Sequence, residues 1–181
     1  MANTSPDESE TERRSDPEHI NALRAFDTLG RFLEEDGWYP QAVEDKHAYR
    51  MYYRGKSGEL RCFAQIYVEL EILVFYAIGL VNVPEEVRPA VAEFITRANY
   101  GMRTGNFELD YADGEVRFKT SLDFEGEIMT VNLIKHVVYP AVRTMDRYLP
   151  GLMKVAFGAM TPVEAIQEIE GGGHSSQEGR P

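Results

Sequence analysis

The amino-acid sequence predicts a single α+β domain of order α-β-β-β-α-β-β-α-α, an antiparallel twisted sheet covered by helices. Three observations predict it. Apolar residues recur every three or four positions in four segments, which is the spacing of half-buried helices. Tyr49, Met51 and Tyr53 alternate with Arg50, Tyr52 and Arg54, the period of a strand. Two short turn sequences, Gly55-Lys56-Ser57-Gly58 and Asp113-Gly114, close hairpins, and hairpins make their strands antiparallel.

The first helix begins where Asp16 caps, Pro17 takes the first helical position and Glu18 enters the first turn. Ile20, Leu23, Phe26, Leu29 and Leu33 form its apolar stripe, and Gly37 ends it. In the first hairpin, a four-residue loop pairs Arg54 with Glu59 and sets Tyr53 and Met51 opposite Leu60 and Cys62. Ile72 to Leu80 is almost wholly apolar, the composition of a strand covered on both faces or lying at an interface. The second helix opens with Pro84, Glu85 and Glu86 and carries Val87, Val91, Phe94, Ile95 and Ala98. Because Pro89 removes a backbone donor, a preliminary turn is expected before the helix proper, and Gly101 closes it.

In the second hairpin, taking Asp113-Gly114 as a two-residue turn sets Tyr111 against Val116 and Leu109 against Phe118. The opposite face then pairs Asp110 with Arg117 and Glu108 with Lys119. The third helix is the longest. Ile134, Val137, Val138, Ala141, Met145, Tyr148 and Leu149 keep helical spacing, while Val131, Leu133, Tyr139 and Val142 widen the apolar face. This helix is therefore expected to be buried on more than one side, with a kink at Pro140. Thr161-Pro162-Val163-Glu164 is a capping box that opens a short last helix through Ile169.

Residues 1–17 hold no large apolar residue after Met1 and are expected to form a disordered acidic tail; residues 171–181 form a flexible Gly/Ser tail; residues 18–170 form the domain. The chain has 181 residues and a formal charge of −11. The tails account for −3 of it (five acids against two arginines before Pro17, Glu178 against Arg180 at the other end), leaving −8 on the domain. That field opposes nucleic acid and anionic membranes, so neither is an expected partner, and basic proteins come first. One cysteine, a polar N-terminus and an apolar run of ten residues from Ile72 to Val81 point to a cytoplasmic chain without a membrane span.

The residues that carry chemistry do not assemble into a motif. His19, His47, His136 and His174 share no ligand spacing, and Cys62 has no cysteine partner. Asp123, Glu125 and Glu127 lack the glycine offset and distal glutamate of a calcium loop and read as a solvated acidic turn. Cys62 sits at an inward strand position as a small hydrophobe, and neither Ser57 nor Ser121 occupies a nucleophile elbow. There is no phosphate-cradling glycine motif. Arg97, Tyr100, Arg103, Phe107, Arg117, Phe118 and Lys119 mix bases with aromatics, yet the hairpin already uses four of them. No catalytic residue, cofactor or metal ligand is assigned. Tyr52, Phe63 and Tyr67 fall on one strand face with Arg50, Arg61 and Gln65, a mixture enriched at protein interfaces. Tyr52, Phe63, Tyr67, Arg50 and Arg61 are therefore the candidate partner-binding residues.

Several strings resemble the YbjN family of bacterial proteins: Val83-Pro84, Glu93-Phe94, Asn99-Tyr100-Gly101, Gly105-Asn106-Phe107-Glu108-Leu109-Asp110, Asp113-Gly114-Glu115-Val116-Arg117 and Met145-Asp146-Arg147-Tyr148-Leu149-Pro150-Gly151. The resemblance spans roughly residues 20–170. It implies a fold like that of type III secretion chaperones, small acidic dimers that bind client proteins and have no catalytic site. Family members carry a sensory-transduction regulator label. The combined expectation is a non-enzymatic, homodimeric adaptor, chaperone or regulator that holds a protein client. A small enzyme with a dispersed carboxylate site and a nucleic-acid-binding regulator are the alternatives. A pocket with a buried Asp, Glu or His would mark the first, and a contiguous basic patch the second.

Overall fold

The computed structural model describes residues 19–171. Apart from Gly171, which ends the last helix, both predicted tails lie outside the described residues, as do Asp16, Pro17 and Glu18 at the expected helix start. The elements are α1 (Ile20–Glu35), β1 (Gln41–Ala42), β2 (Ala48–Arg54), β3 (Glu59–Tyr67), β4 (Ile72–Ile78), α2 (Arg88–Asn99), β5 (Asn106–Leu109), β6 (Val116–Asp123), α3 (Val131–Ala156) and α4 (Pro162–Gly171). The order agrees with the sequence reading, with the two-residue β1 added. The six strands form one open sheet in the order β1-β2-β3-β4-β6-β5, every neighbour antiparallel.

Local signals set most boundaries. Gly37, at φ +77°, ends α1 with two hydrogen bonds: Trp38 N–H donates to Leu33 O at 2.9 Å and Gly37 N–H to Glu34 O at 3.1 Å. A short 3-10 turn at Glu85–Val87 precedes α2, and Pro89 stands in the first turn, where its missing donor costs nothing. The capping box forms as expected: Thr161 N–H donates to Glu164 Oε2 at 2.9 Å, and Glu164 N–H to Thr161 Oγ1 at 3.3 Å. The helix α3 continues through both Pro140 and Pro150 for 26 residues.

The core lies between one sheet face and the helices. Leu60, Cys62, Ala64, Leu73, Phe75, Ala77 and Phe118 point from the sheet into it and are fully buried. Against them pack Leu29 and Leu33 of α1, Phe94 of α2, and Ile134, Val138, Ala141 and Met145 of α3. Thr120 is the buried polar side chain among the described residues, and its Oγ1 donates to Val137 O at 2.9 Å, tying β6 to α3. Twelve buried residues along α3 account for its wide apolar face: the sheet covers one side, and α1, α2 and α4 contact the helix as well.

The second hairpin differs from expectation by two residues. Its register is Phe107↔Phe118, Glu108↔Arg117 and Leu109↔Val116, so Asp113-Gly114 is not a two-residue turn. Asp110 N–H donates to Glu115 O at 2.9 Å, closing a four-residue tip in which Asp110 Oδ1 accepts from Ala112 N–H and Asp113 Oδ1 from Glu115 N–H. These aspartates make local turns that compete with strand pairing. The tip is also docked: Val83 N–H donates to Gly114 O at 2.8 Å, and a Cβ at Gly114 would lie 2.1 Å from Val83 O. A two-residue slip keeps every side chain on its face, so the apolar face survives. Tyr111, however, stands exposed in the loop, and Glu108 takes Arg117 at 2.7 Å and Lys119 at 2.5 Å while Asp110 takes neither.

Candidate protein-binding surface

The first hairpin carries the surface. Its register is Arg50↔Phe63, Met51↔Cys62, Tyr52↔Arg61, Tyr53↔Leu60 and Arg54↔Glu59. Odd-numbered residues of β2 face the core: Tyr49 stacks on Phe26 with ring centroids 4.7 Å apart, and Tyr53 on Trp38 at 5.3 Å. Arg50, Tyr52, Arg61, Phe63 and Tyr67 all project to the opposite face, as the alternation requires. The structure therefore brings the five predicted residues onto one side of the sheet, with Tyr52 and Tyr67 exposed and Phe63 half-buried.

No described helix packs on that side. The strand β4 continues it, with Tyr76 opposite Phe63, Val74 opposite Gln65, Ile72 opposite Tyr67 and Ile78 opposite Arg61; Ile72 and Tyr76 are half-buried, and Val74 and Ile78 are buried. Tyr76 belongs to the group of strand aromatics, with Tyr49, Tyr52, Tyr53, Phe63, Tyr67 and Phe75, that points to protein binding in the sequence, whereas Ile72, Val74 and Ile78 carry no individual mark there. The signal was present in the unbroken apolar run, which fits a strand whose two faces are both apolar although helices cover only one. Phe63 and Tyr76 lie 6.5 Å apart between centroids.

Ion pairs edge the apolar strip. Arg117 pairs with Glu108 and sits 4.3 Å from the Tyr76 ring centroid, while Arg61 pairs with Glu115 at 2.8 Å. Partial burial raises the Tyr76 hydroxyl above its ordinary value, against the opposing charge of Arg117. Partial burial also pushes the Glu108 carboxyl upward, but hydrogen bonds from Lys119 and Arg117 outweigh it and hold the group below its ordinary value. Arg50 and Arg54 make no ion pair among the described residues.

A second apolar concavity of about 300 Å³ lies at the other end of β4, where Leu80, Val81 and Val83 face Leu149, Met153 and Phe157. Its polar members are Ser57 and Glu59, with no histidine. Cys62 is fully buried, and that burial pushes its thiol to about 12. His47 and His136 are exposed, His19 is half-buried, and His174 lies outside the described residues. Among the described residues no three His, Cys, Asp or Glu side chains come together as metal ligands. Asp123 instead accepts from Glu125 N–H at 3.0 Å. No described helix is long and apolar enough to cross a membrane.

The family strings have structural work. Asn99 clamps β5, donating from Nδ2 to Phe107 O at 3.1 Å and accepting Phe107 N–H on Oδ1 at 2.7 Å. Gly105, at φ +74°, passes so close to β6 that a Cβ would lie 2.5 Å from Lys119 O.

Comparison with curated proteins returned no match. Among solved structures, the chain is similar to one from E. coli titled "Crystal structure of YbjN, a putative transcription regulator from E. coli". The TM-score is 0.50 at 15% identity, over 67% of this chain and 85% of that one. At that identity the likeness concerns the fold. Residues 25–153 match a family described as "Putative bacterial sensory transduction regulator". With the match covering most of the domain and the same mixed fold in the solved relative, the chain belongs to the YbjN family, whose description is that of a regulator.

Proposed function

We propose that this protein is a non-enzymatic regulatory module that acts by holding a protein client on the open face of its sheet. The observation that carries the reading is β4: Phe75 and Ala77 are buried in the core, while Ile72 and Tyr76 look out from the same strand with no helix over them. A sheet face with no described helix over it, where Phe63, Ile72 and Tyr76 stay partly exposed beside arginines, suits an amphipathic segment whose apolar side covers Phe63 and Tyr76. The ion pairs at the border keep the strip accessible in water and supply polar contacts at its rim. Support for a non-catalytic role comes from the buried set, in which Thr120 is the polar member and is already bonded to Val137 O. The protein acts as a homodimer in this reading, as a chaperone-like adaptor would.

The test places a photoreactive residue at Tyr52 or Tyr67 in the full chain and identifies crosslinked proteins by mass spectrometry, with light scattering for the assembly state. The expected outcome is a client crosslinked from both positions and lost when Phe63 and Tyr76 are both replaced by Ser. Capture that survives the double replacement, or a strict monomer that crosslinks nothing, sinks the proposal.

A further inference from the structure

On the helical side of the molecule, a cleft of about 500 Å³ opens between the loop after α2 and the outer flank of α3. Three arginines line it: Arg103 from the loop, and Arg143 and Arg147 one turn apart on α3. The hydroxyls of Thr104 and Thr144 join them, and no carboxylate lines the cleft. In a chain of charge −11, three guanidinium groups gathered without an acidic residue between them is a local reversal of the field.

Two of the three guanidinium groups have contacts that orient them, and the loop that carries the third is tied down. Arg147 donates to Ile169 O at 3.1 Å and lies 5.6 Å from the Tyr148 ring centroid, and Arg143 lies 5.2 Å from the Tyr139 ring centroid. The loop is anchored at both ends, by the Asn99 clamp on Phe107 and by Met102 N–H bonding Asn99 O at 3.1 Å. Neither Arg103 nor Arg143 has a carboxylate within pairing distance among the described residues. Asp146, between the two arginines on α3, is turned to the first hairpin, where it accepts from Lys56 and Ser57 N–H, and the acids bonded to the neighbouring tyrosines are also engaged: Glu170 accepts from Tyr148 Oη at 2.9 Å, and Asp36 accepts from Tyr139 Oη. Thr28 and Thr96 spend their hydroxyls on the carbonyl four residues back, whereas Thr144 makes no such bond. Its hydroxyl and that of Thr104 have no partner among the described residues.

We propose that this cleft binds the phosphate groups of a small phosphorylated molecule. Planar guanidinium forks match phosphate oxygens, and free threonine hydroxyls complete such a shell. An opening of this size has room for a polyphosphate or a nucleotide, which can reach all three arginines at once. The site lies across the helices from the open sheet face, so it stands or falls independently of the client-binding reading. It would give a regulator a small-molecule input.

Calorimetric titration of the full chain at low ionic strength, with adenosine triphosphate and with inorganic tripolyphosphate as separate probes, tests the site. Saturable binding of at least one probe is expected. Binding of both identifies the phosphates as the recognised group, and binding of the nucleotide alone adds a contribution from its base. Arg103→Gln and Arg143→Gln, made separately and checked by thermal melt, should each weaken it by roughly tenfold, while Arg50→Gln on the sheet face should leave it unchanged. Absence of saturable binding by both probes overturns the proposal, as does equal weakening by Arg50→Gln. A short DNA duplex that binds through Arg103 and Arg143 when neither probe does overturns it too.

Discussion

Asp146, midway along α3, accepts the backbone N–H of Ser57, at the tip of the first hairpin, on its Oδ1 at 2.8 Å. Its Oδ2 takes the Lys56 N–H at 3.0 Å, so one carboxylate caps the turn from 89 and 90 residues away. The turn is shaped to receive it, since a Cβ on Gly55 would stand 2.1 Å from Asp146 Oδ1. Asp146→Ala should cost about 1–2 kcal/mol in urea unfolding, because two charge-assisted bonds are lost at a partly hydrated site. Gly55→Ala should cost a similar amount by pushing the carboxylate away. In the Asp146→Ala background the Gly55→Ala cost should largely vanish; full additivity would show that the two residues are not coupled.

Glu108 gives the protein a term that depends on acid. Its folded-state pKa lies below the ordinary 4.5, so the unfolded chain binds a proton more readily. The stabilisation is complete above the unfolded value and is lost as pH falls through the depressed folded value. Because the site is partly hydrated, the loss should stay below about 1 kcal/mol. Glu108→Gln should flatten the fall of the urea midpoint below about pH 4.5; curves for the two proteins that run parallel throughout would contradict this.

Cys62 should be inert while the protein is folded. The thiol is fully buried and its pKa is raised to about 12 by that burial, so almost no thiolate exists at neutral pH. A disulfide reagent should label it only on unfolding, at a rate that follows the unfolding transition. Rapid labelling of the native protein would refute the assignment.

The two faces of the sheet should respond differently to truncation. Phe75→Ala or Phe118→Ala opens a cavity in the core and should cost about 3–5 kcal/mol. Phe63→Ser and Tyr76→Ser, on the face without a helix, should each cost about 1–2 kcal/mol, less than the core sites, since both side chains are partly exposed and lie outside the core. Thermal melts decide it, and core-sized losses at Phe63 would mean that something covers that face.

Much of this molecule was legible residue by residue. The capping box at Thr161, the preliminary turn before Pro89 and the Arg54↔Glu59 hairpin register rest on interactions within a few residues, which a string of letters displays. The candidate face followed for the same reason, because alternation in β2 and β3 sorts side chains whatever surrounds them. The second hairpin shows the limit. Its local signal, Asp113-Gly114, was outweighed by two aspartate turns and by docking of the tip on Val83, a contact 31 residues away in the chain.

The sequence by itself determined the order of every element but the short β1, the two faces of each strand and the absence of any recognisable catalytic motif, all of which follow from periodicity, capping and residue type. Tertiary structure alone decided which of β4's two apolar faces the helices would cover, since both sides of that strand read alike. It also decided that Arg103 would meet Arg143 and Arg147, because charges 40 residues apart converge only when α2 and α3 pack. The physical reason is the same in both cases: burial and the local field are properties of what lies across a contact, and those contacts join distant parts of the chain.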